Sequence, residues 1–335
     1  MSKELIKVNG LKTYFYLSSG VVKAVDGVSF SINEGETLGI VGESGSGKSV
    51  TASSIMRLLQ KPIGRIADGE VLFEGRDLLK LKEKEMLGIR GKEISMIFQD
   101  PMTSLDPVFT IGQQIIEIIK IHQKVSDGEA KRIAIKALEM VGIPEAETRF
   151  GSYPHEFSGG MRQRVIIAMA IVCRPKMIIA DEPTTALDVT VQAQVLNLLK
   201  DLQKQLGTAI LLITHNLGVV WDMCDKVMVM YAGKTVEYTD TKTLYNKPMH
   251  PYTLGLLNSI PKLSDDPDKP LTAIPGSPPD LKLVGDSCNF HNRCTYAKDI
   301  CREKTPELVE VEEGHFVACH YRIGAEDISR AGGEA

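Results

Sequence analysis

Gly42, Glu43, Ser44, Gly45, Ser46, Gly47, Lys48 and Ser49 fit the pattern G-x-x-x-x-G-K-[ST]. A short apolar run precedes them and a helix-like stretch follows, the context a phosphate-binding loop requires. Glycines let successive backbone N–H groups curl around a phosphate, and the helix N-terminus adds partial positive charge. Lys48 can reach the β- and γ-phosphates of a nucleotide, and Ser49 can ligate Mg²⁺. Val50 opens the helix behind them and completes the nucleotide-binding set. Farther along, Met177-Ile178-Ile179-Ala180 runs into Asp181 and Glu182. Asp181 is placed to hold Mg²⁺, and Glu182 to polarise an attacking water as a general base.

These groups must be held by alternating strands and helices. Thr37–Val41, Met177–Ala180 and Thr208–Thr214 read as buried strands. The stretch from Ser49 to Leu59 reads as a helix. Val191, Val195, Leu198, Leu199, Leu202 and Leu206 follow a helical period that stops at Gly207. This β-α-β rhythm predicts an α/β domain with a mainly parallel sheet. Residues 5–35 and 226–238 read instead as antiparallel β, with a turn at Ala232–Gly233. Residues 104–165 read as an inserted helical subdomain, in which Ser126 and Glu129 form a capping-box pattern.

After residue 240 the character changes. Pro261, Pro267, Pro270, Pro275, Pro278 and Pro279 mark an extended linker, and the last dozen residues read as frayed. Cys288, Cys294, Cys301 and Cys319 crowd near the end. Cys173 and Cys224 lie apart and read as small apolar residues. Four thiolates can bind zinc or an iron–sulfur cluster. Their spacing leaves zinc, iron–sulfur and free thiols equally open, with His291, His315 and His320 as substitute zinc ligands.

Among the chain's 335 residues, 43% are apolar and 24% charged, and the formal net charge is −4. That balance argues against a dominant nucleic-acid surface, which calls for a basic excess. No apolar run approaches the roughly 18 residues that suggest a membrane span. The first residues show no apolar signal segment, so a cytosolic protein, peripheral at most to a membrane, is expected.

Phe157-Ser158-Gly159-Gly160-Met161 resembles the LSGGQ signature of ATP-binding-cassette (ABC) ATPases, with Phe157 in place of Leu and Met161 in place of Gln. Gln99 resembles that family's Q-loop, Ala186-Leu187-Asp188 its D-loop and His215 its switch histidine. The resemblance implies a RecA-like α/β core with an antiparallel β subdomain over 1–240, and ATP and Mg²⁺ as ligands. It implies roles for Gln99 at Mg²⁺ and the lytic water, and for His215 at the γ-phosphate. Ser158, Gly159, Gly160 and Asp188 would face the nucleotide of a second cassette, since the chain holds one loop and one signature. Phe15 is the favoured adenine-stacking aromatic; strand alternation puts Tyr14 and Tyr16 on the other face. A soluble ABC ATPase acting on DNA is disfavoured, because the stretch from Gln99 to Ser158 leaves no room for the long coiled coil of such members, and one acting on ribosomes because those members usually hold two cassettes in one chain.

The tail resembles oligopeptide and dipeptide permease ATPases of the D type. His250-Pro251-Tyr252-Thr253, Ile274-Pro275-Gly276-Ser277-Pro278-Pro279 and Gln99-Asp100-Pro101-Met102-Thr103-Ser104-Leu105-Asp106-Pro107 carry this likeness. It implies a Cys-rich C-terminal extension over 241–335 with a [4Fe–4S] cluster on Cys288, Cys294, Cys301 and Cys319, or alternatively Zn²⁺. The implied partners are a related F-type ATPase, two transmembrane permease subunits at the cytoplasmic face of the membrane and, indirectly, an extracellular peptide-binding protein. Nickel permeases have similar ATPases and form the alternative substrate class.

Overall fold

The computed structural model describes residues 3–99, 104–185, 187–261 and 273–324. Asp100 to Thr103, Ala186, the prolines Pro267 and Pro270 and the C-terminal end lie outside the described residues, and so do the expectations placed on them. The chain divides into two compact units. One gathers 1–5, 32–37 and 80–213; the other gathers 6–31, 38–79 and 214–335.

In the first unit, Ile94–Ile97, Met177–Asp181 and Ala209–Ile213 form parallel neighbours, with Ile97 opposite Ala180 and Asp181 opposite Ile213. Every residue of Met177–Asp181 and Ala209–Ile213 is buried. Parallel strands covered on both faces need such unbroken apolar runs. The helix Val189–Leu206 makes the crossover between them; Asp188 caps it by accepting from the Val191 N–H, and Gly207 ends it in the left-handed region. The expected helices are present as Ile111–His122, Asp127–Met140, Ala146–Arg149 and Gly159–Ile171. Ser126 caps the second by accepting from the Glu129 N–H. These helices belong to the same compact unit as the three strands. Gly112 lets the first helix meet the Phe150 ring, which lies 2.4 Å from where a Cβ would stand.

In the second unit, Gly20–Asn33, Glu4–Leu17, Gly64–Phe73 and Arg76–Asp77 lie side by side in one sheet. Glu4–Leu17 runs antiparallel to Gly64–Phe73. Ile6, Val8, Leu11, Val25, Val28, Val71 and Phe73 are among its buried residues. In a second sheet, Thr37–Val41 runs parallel to Lys226–Tyr231. Lys226–Tyr231 turns at Ala232–Gly233, both with positive φ, into antiparallel Lys234–Asp240. Two left-handed residues match the twist of a tight hairpin. The C-terminal hairpin Val309–Glu312 and His315–Val317 then adds its inner strand to Lys234–Asp240, so the tail continues this sheet.

The helix expected from Ser49 to Leu59 runs only over Lys48–Ile55. Met56 ends it and Arg57 turns left-handed.

Candidate functional site

The loop from Gly42 to Ser49 sits at the carboxyl end of the strand Thr37–Val41. Gly42, Gly45 and Gly47 all have positive φ. At Gly42 a Cβ would stand 2.2 Å from the Met230 carbonyl oxygen and 2.9 Å from Ser46 Oγ; at Gly47 it would stand 2.3 Å from the Ala24 carbonyl oxygen. The glycines therefore serve close backbone approach as well as an unusual backbone shape. Lys48 is buried, and its ammonium donates to the carbonyls of Gly42 at 2.7 Å and Glu43 at 3.0 Å. Ser46 Oγ is buried without a protein partner. Ser49 is exposed beside it. An orphaned hydroxyl, a glycine cradle and an ammonium at a helix start fit a bound phosphate and its Mg²⁺.

Gly42→Ala follows as a test of the cradle. The backbone oxygen of Met230 belongs to a paired strand and cannot yield. The variant should lose at least about tenfold in ATP affinity, the weight of one charge-assisted hydrogen bond or more. Gly88→Ala, where a Cβ meets nothing within 4 Å, should bind ATP like the parent. Equilibrium binding of a fluorescent nucleotide reads both.

The carboxylates lie in the other unit. Asp181 ends its strand with 6% of its surface exposed. Glu182 follows with φ at 46°, and its N–H donates to the Ile213 carbonyl at 2.8 Å. Its Oε2 accepts from the Gln99 amide at 3.0 Å and from the Thr185 hydroxyl at 2.9 Å. Gln99 and Glu182, far apart in sequence, are thus brought together. Ser158 caps the helix Gly159–Ile171 by accepting from the Met161 N–H. Ser158 and Gly159 are exposed, while Phe157, in the leading Leu position, is buried. Gly160 packs against Val191, whose Cγ1 lies 2.6 Å from a would-be Cβ. The signature and Asp188 are therefore the starts of two helices in one unit.

His215 is exposed in the second unit, after Thr214, whose N–H donates to the Ile40 carbonyl. Phe15 is half-buried with its ring against Gly64. Tyr14 instead donates its hydroxyl to Asp26 at 2.7 Å, and burial first, then that contact, push its phenol up. Tyr16 lies under the Arg65 guanidinium.

Cys288, Cys294, Cys301 and Cys319 are free thiols in one lobe of the second unit. The Cys288 N–H donates to the Cys301 carbonyl, and the N–H groups of Tyr321 and Arg322 point at Cys319 Sγ from 3.4 Å. Burial pushes Cys288 and Cys294 up to about 11, with the neighbouring thiols adding to the shift. Yet among the described residues no group of three or more His, Cys, Asp or Glu could hold a metal ion. The [4Fe–4S] and Zn²⁺ expectations, with His291, His315 and His320 as substitutes, thus find no support in this arrangement. His315 is engaged with Glu237 and His320 with the Lys304 carbonyl.

Sequence reading missed Tyr252 as part of the loop's surroundings. Its hydroxyl accepts the Glu43 N–H at 2.8 Å. The only signal was its place in the His250-Pro251-Tyr252-Thr253 likeness.

Residues 25–185 match the ABC transporter family, and residues 236–301 match the C-terminal region of oligopeptide/dipeptide transporters. The oligopeptide transport ATP-binding protein OppD of Bacillus subtilis (strain 168) is 53% identical over 313 residues, 93% of this chain and 87% of that protein. The chain belongs to the ABC transporter ATP-binding family. Within this ABC family, OppD of Escherichia coli (strain K12) is 51% identical over 94% of this chain and 92% of its own length. The dipeptide transport ATP-binding protein DppD of Bacillus subtilis (strain 168) is 48% identical over 95% and 94%. The post-hydrolysis dimer of the ATP-binding cassette MJ0796 bound to ADP and Pi matches the fold with a TM-score of 0.63 and 27% identity. It covers 70% of this chain and 98% of that one. The chain therefore has the ABC ATPase fold and belongs among ATPase subunits of membrane transporters.

Proposed function

We propose that this ABC ATPase hydrolyses ATP to drive a membrane importer of dipeptides or oligopeptides. The observation that carries the reading is the C-terminal match over residues 236–301, joined to the phosphate-binding loop. Relatives named for oligopeptide and dipeptide transport support the substrate class.

Lys48, Ser46, Ser49 and the loop N–H groups hold the phosphates. Ser49, Gln99 and Asp181 are the residues that would hold Mg²⁺, and the ion would neutralise phosphate charge. Glu182 takes the proton of the attacking water, and His215 contacts the γ-phosphate. Phe15 stacks on adenine. Ser158, Gly159, Gly160 and Asp188 present helix starts to the nucleotide of a second cassette, a related F-type paralogue. The domains of this reading are a nucleotide-binding domain over 1–240, with its helical subdomain over 104–165, and the extension over 241–335. Val108, Phe109 and Ile121 expose 70%, 50% and 66% of their surface. Such apolar exposure suits contact with two permease subunits at the cytoplasmic membrane face. Among the described residues no helix is long and apolar enough to cross a membrane. The extracellular peptide-binding protein would act through the permease alone.

The test is uptake of a labelled tripeptide in cells lacking their own OppD, with the chain supplied together with its permease subunits. Restored uptake that Lys48→Ala abolishes supports the reading; uptake of nickel ions in place of peptide would move the substrate class.

The finer proposal, a [4Fe–4S] cluster on the four cysteines, rests on the resemblance and on their sharing one lobe. Binding would require the thiols to converge and lose their protons. Anaerobic purification with iron, sulfide and zinc analysis decides it. About four irons per chain would establish the cluster, and no metal would leave four free thiols.

A further inference from the structure

Glu43 lies in the phosphate-binding loop, yet its side chain belongs to a network from the cysteine-bearing lobe. Arg293 Nη1 donates to Glu43 Oε2 at 2.6 Å, and Nη2 donates to Oε1 at 2.9 Å. The Arg293 side chain is only 6% exposed. Its Nε donates to the Pro275 carbonyl at 2.8 Å, and Nη1 also donates to the Tyr231 hydroxyl at 3.2 Å. Its guanidinium lies over the rings of Tyr231 and Phe290. Tyr231, Tyr252 and Phe290 pack against one another with centroids 4.6–5.3 Å apart. Every donor direction of the fork is used or stacked, so the guanidinium has one place to be.

We propose that Arg293 is a positioning residue for the phosphate-binding loop, and that it makes the ATP affinity of this chain depend on the folded cysteine-bearing lobe. This rests on the reading of Gly42–Ser49 as the nucleotide loop.

Two physical points carry it. First, the loop holds its shape in part through Lys48, whose ammonium ties the Gly42 and Glu43 carbonyls. When Lys48 turns to a phosphate those ties are released. Glu43 is then fixed by the Tyr252 hydroxyl at its N–H and by Arg293 at its carboxylate. Second, Glu43 is an anion in a loop that receives a polyanion. Arg293, its own side chain buried, neutralises it through a two-pronged ion pair. Without Arg293 the carboxylate would repel the phosphates and swing the loop.

Arg293 directly precedes Cys294 in the chain, and Cys288 and Phe290 shape the same turn: the Arg293 N–H donates to the Phe290 carbonyl and the His291 N–H to the Cys288 carbonyl. Whatever unfolds this turn withdraws the guanidinium from Glu43. Linkage makes the effect reciprocal, so ATP must also protect the turn.

The experiment measures ATP affinity of the full chain for the parent, Arg293→Met, Arg293→Lys, Glu43→Gln and the double variant Arg293→Met/Glu43→Gln. Circular dichroism without nucleotide checks folding. Arg293→Met should weaken ATP binding by about tenfold to a hundredfold, the range for losing hydrogen bonds to a charged group. The double variant should recover the part of that loss due to the bare carboxylate and keep the part due to the lost tie, so its affinity should lie between the parent and Arg293→Met. Arg293→Lys keeps the charge without the fork and should fall between; it carries the test if Arg293→Met does not fold. Saturating ATP should slow amide exchange over 288–294 in the parent and not in Arg293→Met. Equal losses in Arg293→Met and the double variant, or parental affinity in both Arg293 variants, would overturn the proposal. Lys48→Ala separates the two readings. If it too binds ATP like the parent, the loop assignment itself fails; if it loses binding while the Arg293 variants do not, only the positioning role fails.

Discussion

Glu182→Gln should abolish ATP turnover while leaving ATP binding in place. The side chain follows Asp181 at the end of a buried strand, with its own backbone turned to φ 46° and pinned to Ile213. That turn lifts the carboxylate off the strand axis to meet the Gln99 amide and the Thr185 hydroxyl. Both neighbours donate to the same oxygen. A glutamine can present its carbonyl oxygen to both, so shape and contacts survive. What is lost is the basic carboxylate. A general base contributes about 10²–10⁴ in rate, roughly 3–5 kcal/mol of barrier. Phosphate release should fall by that factor, with ATP affinity held within about threefold. Thr185→Val removes one donor and keeps the base, so its turnover should fall far less. A Glu182→Gln protein with parental phosphate release would exclude Glu182 as the base and leave His215 to be tested in its place.

The parts of this fold that the sequence displays are those where one physical demand acts on consecutive residues. Met177–Asp181 and Ala209–Ile213 are buried on both faces, and so they are written as unbroken apolar runs. Val189–Leu206 buries one stripe, and so its apolar residues keep a helical period. The glycines of the loop are legible because a phosphate cradle needs that backbone whatever surrounds it. The tail is different. The pairing of His315–Val317 with Lys234–Asp240 joins segments with no shared local pattern. Glu43 and Arg293 stand 250 positions apart, and neither has an unusual neighbourhood in sequence. The cysteine tetrad is legible in sequence as four like residues close together, and the fold does bring its thiols near one another; their arrangement as ligands is not legible there, and among the described residues no group of three or more His, Cys, Asp or Glu could hold a metal ion. Ser49–Leu59 failed in a simpler way: nothing local marks Arg57 as the left-handed residue that ends the helix early.

Removing the buried carboxylate of Glu237 should cost several kcal/mol of stability. Glu237 is fully buried on the strand Lys234–Asp240, at an irregularity in its pairing. Oε1 accepts the Met249 N–H at 2.7 Å and His315 Nε2 at 2.8 Å; Oε2 accepts the His250 N–H at 3.0 Å. It thereby satisfies the backbone just before the helix Pro251–Asn258 and anchors the C-terminal hairpin through His315. Leucine would fill the space and leave three buried donors unmet. At about 1–3 kcal/mol each, partly relieved by relaxation, Glu237→Leu should lose roughly 3–6 kcal/mol. At about 2–4 °C per kcal/mol the melting temperature should fall by about 6–24 °C. Glutamine keeps one acceptor and should lose less.

The same cluster sets an acid limit. Burial pushes the His250 imidazole down to about 4, against the opposing pull of Glu237. A base depressed in the folded state is bound by fewer protons there than in the unfolded chain. Its contribution is complete above the unfolded value near 6.5 and is lost as pH falls towards 4. That window is worth about 3 kcal/mol at the usual conversion. His250 Nδ1 accepts the Tyr252 N–H at the helix start, and asparagine can supply an equivalent acceptor there without titrating. Denaturant melts of the parent and His250→Asn should therefore agree closely at pH 7 and diverge as pH falls to about 4, the parent losing more stability than the variant. Parallel curves would show that His250 is not the group that titrates.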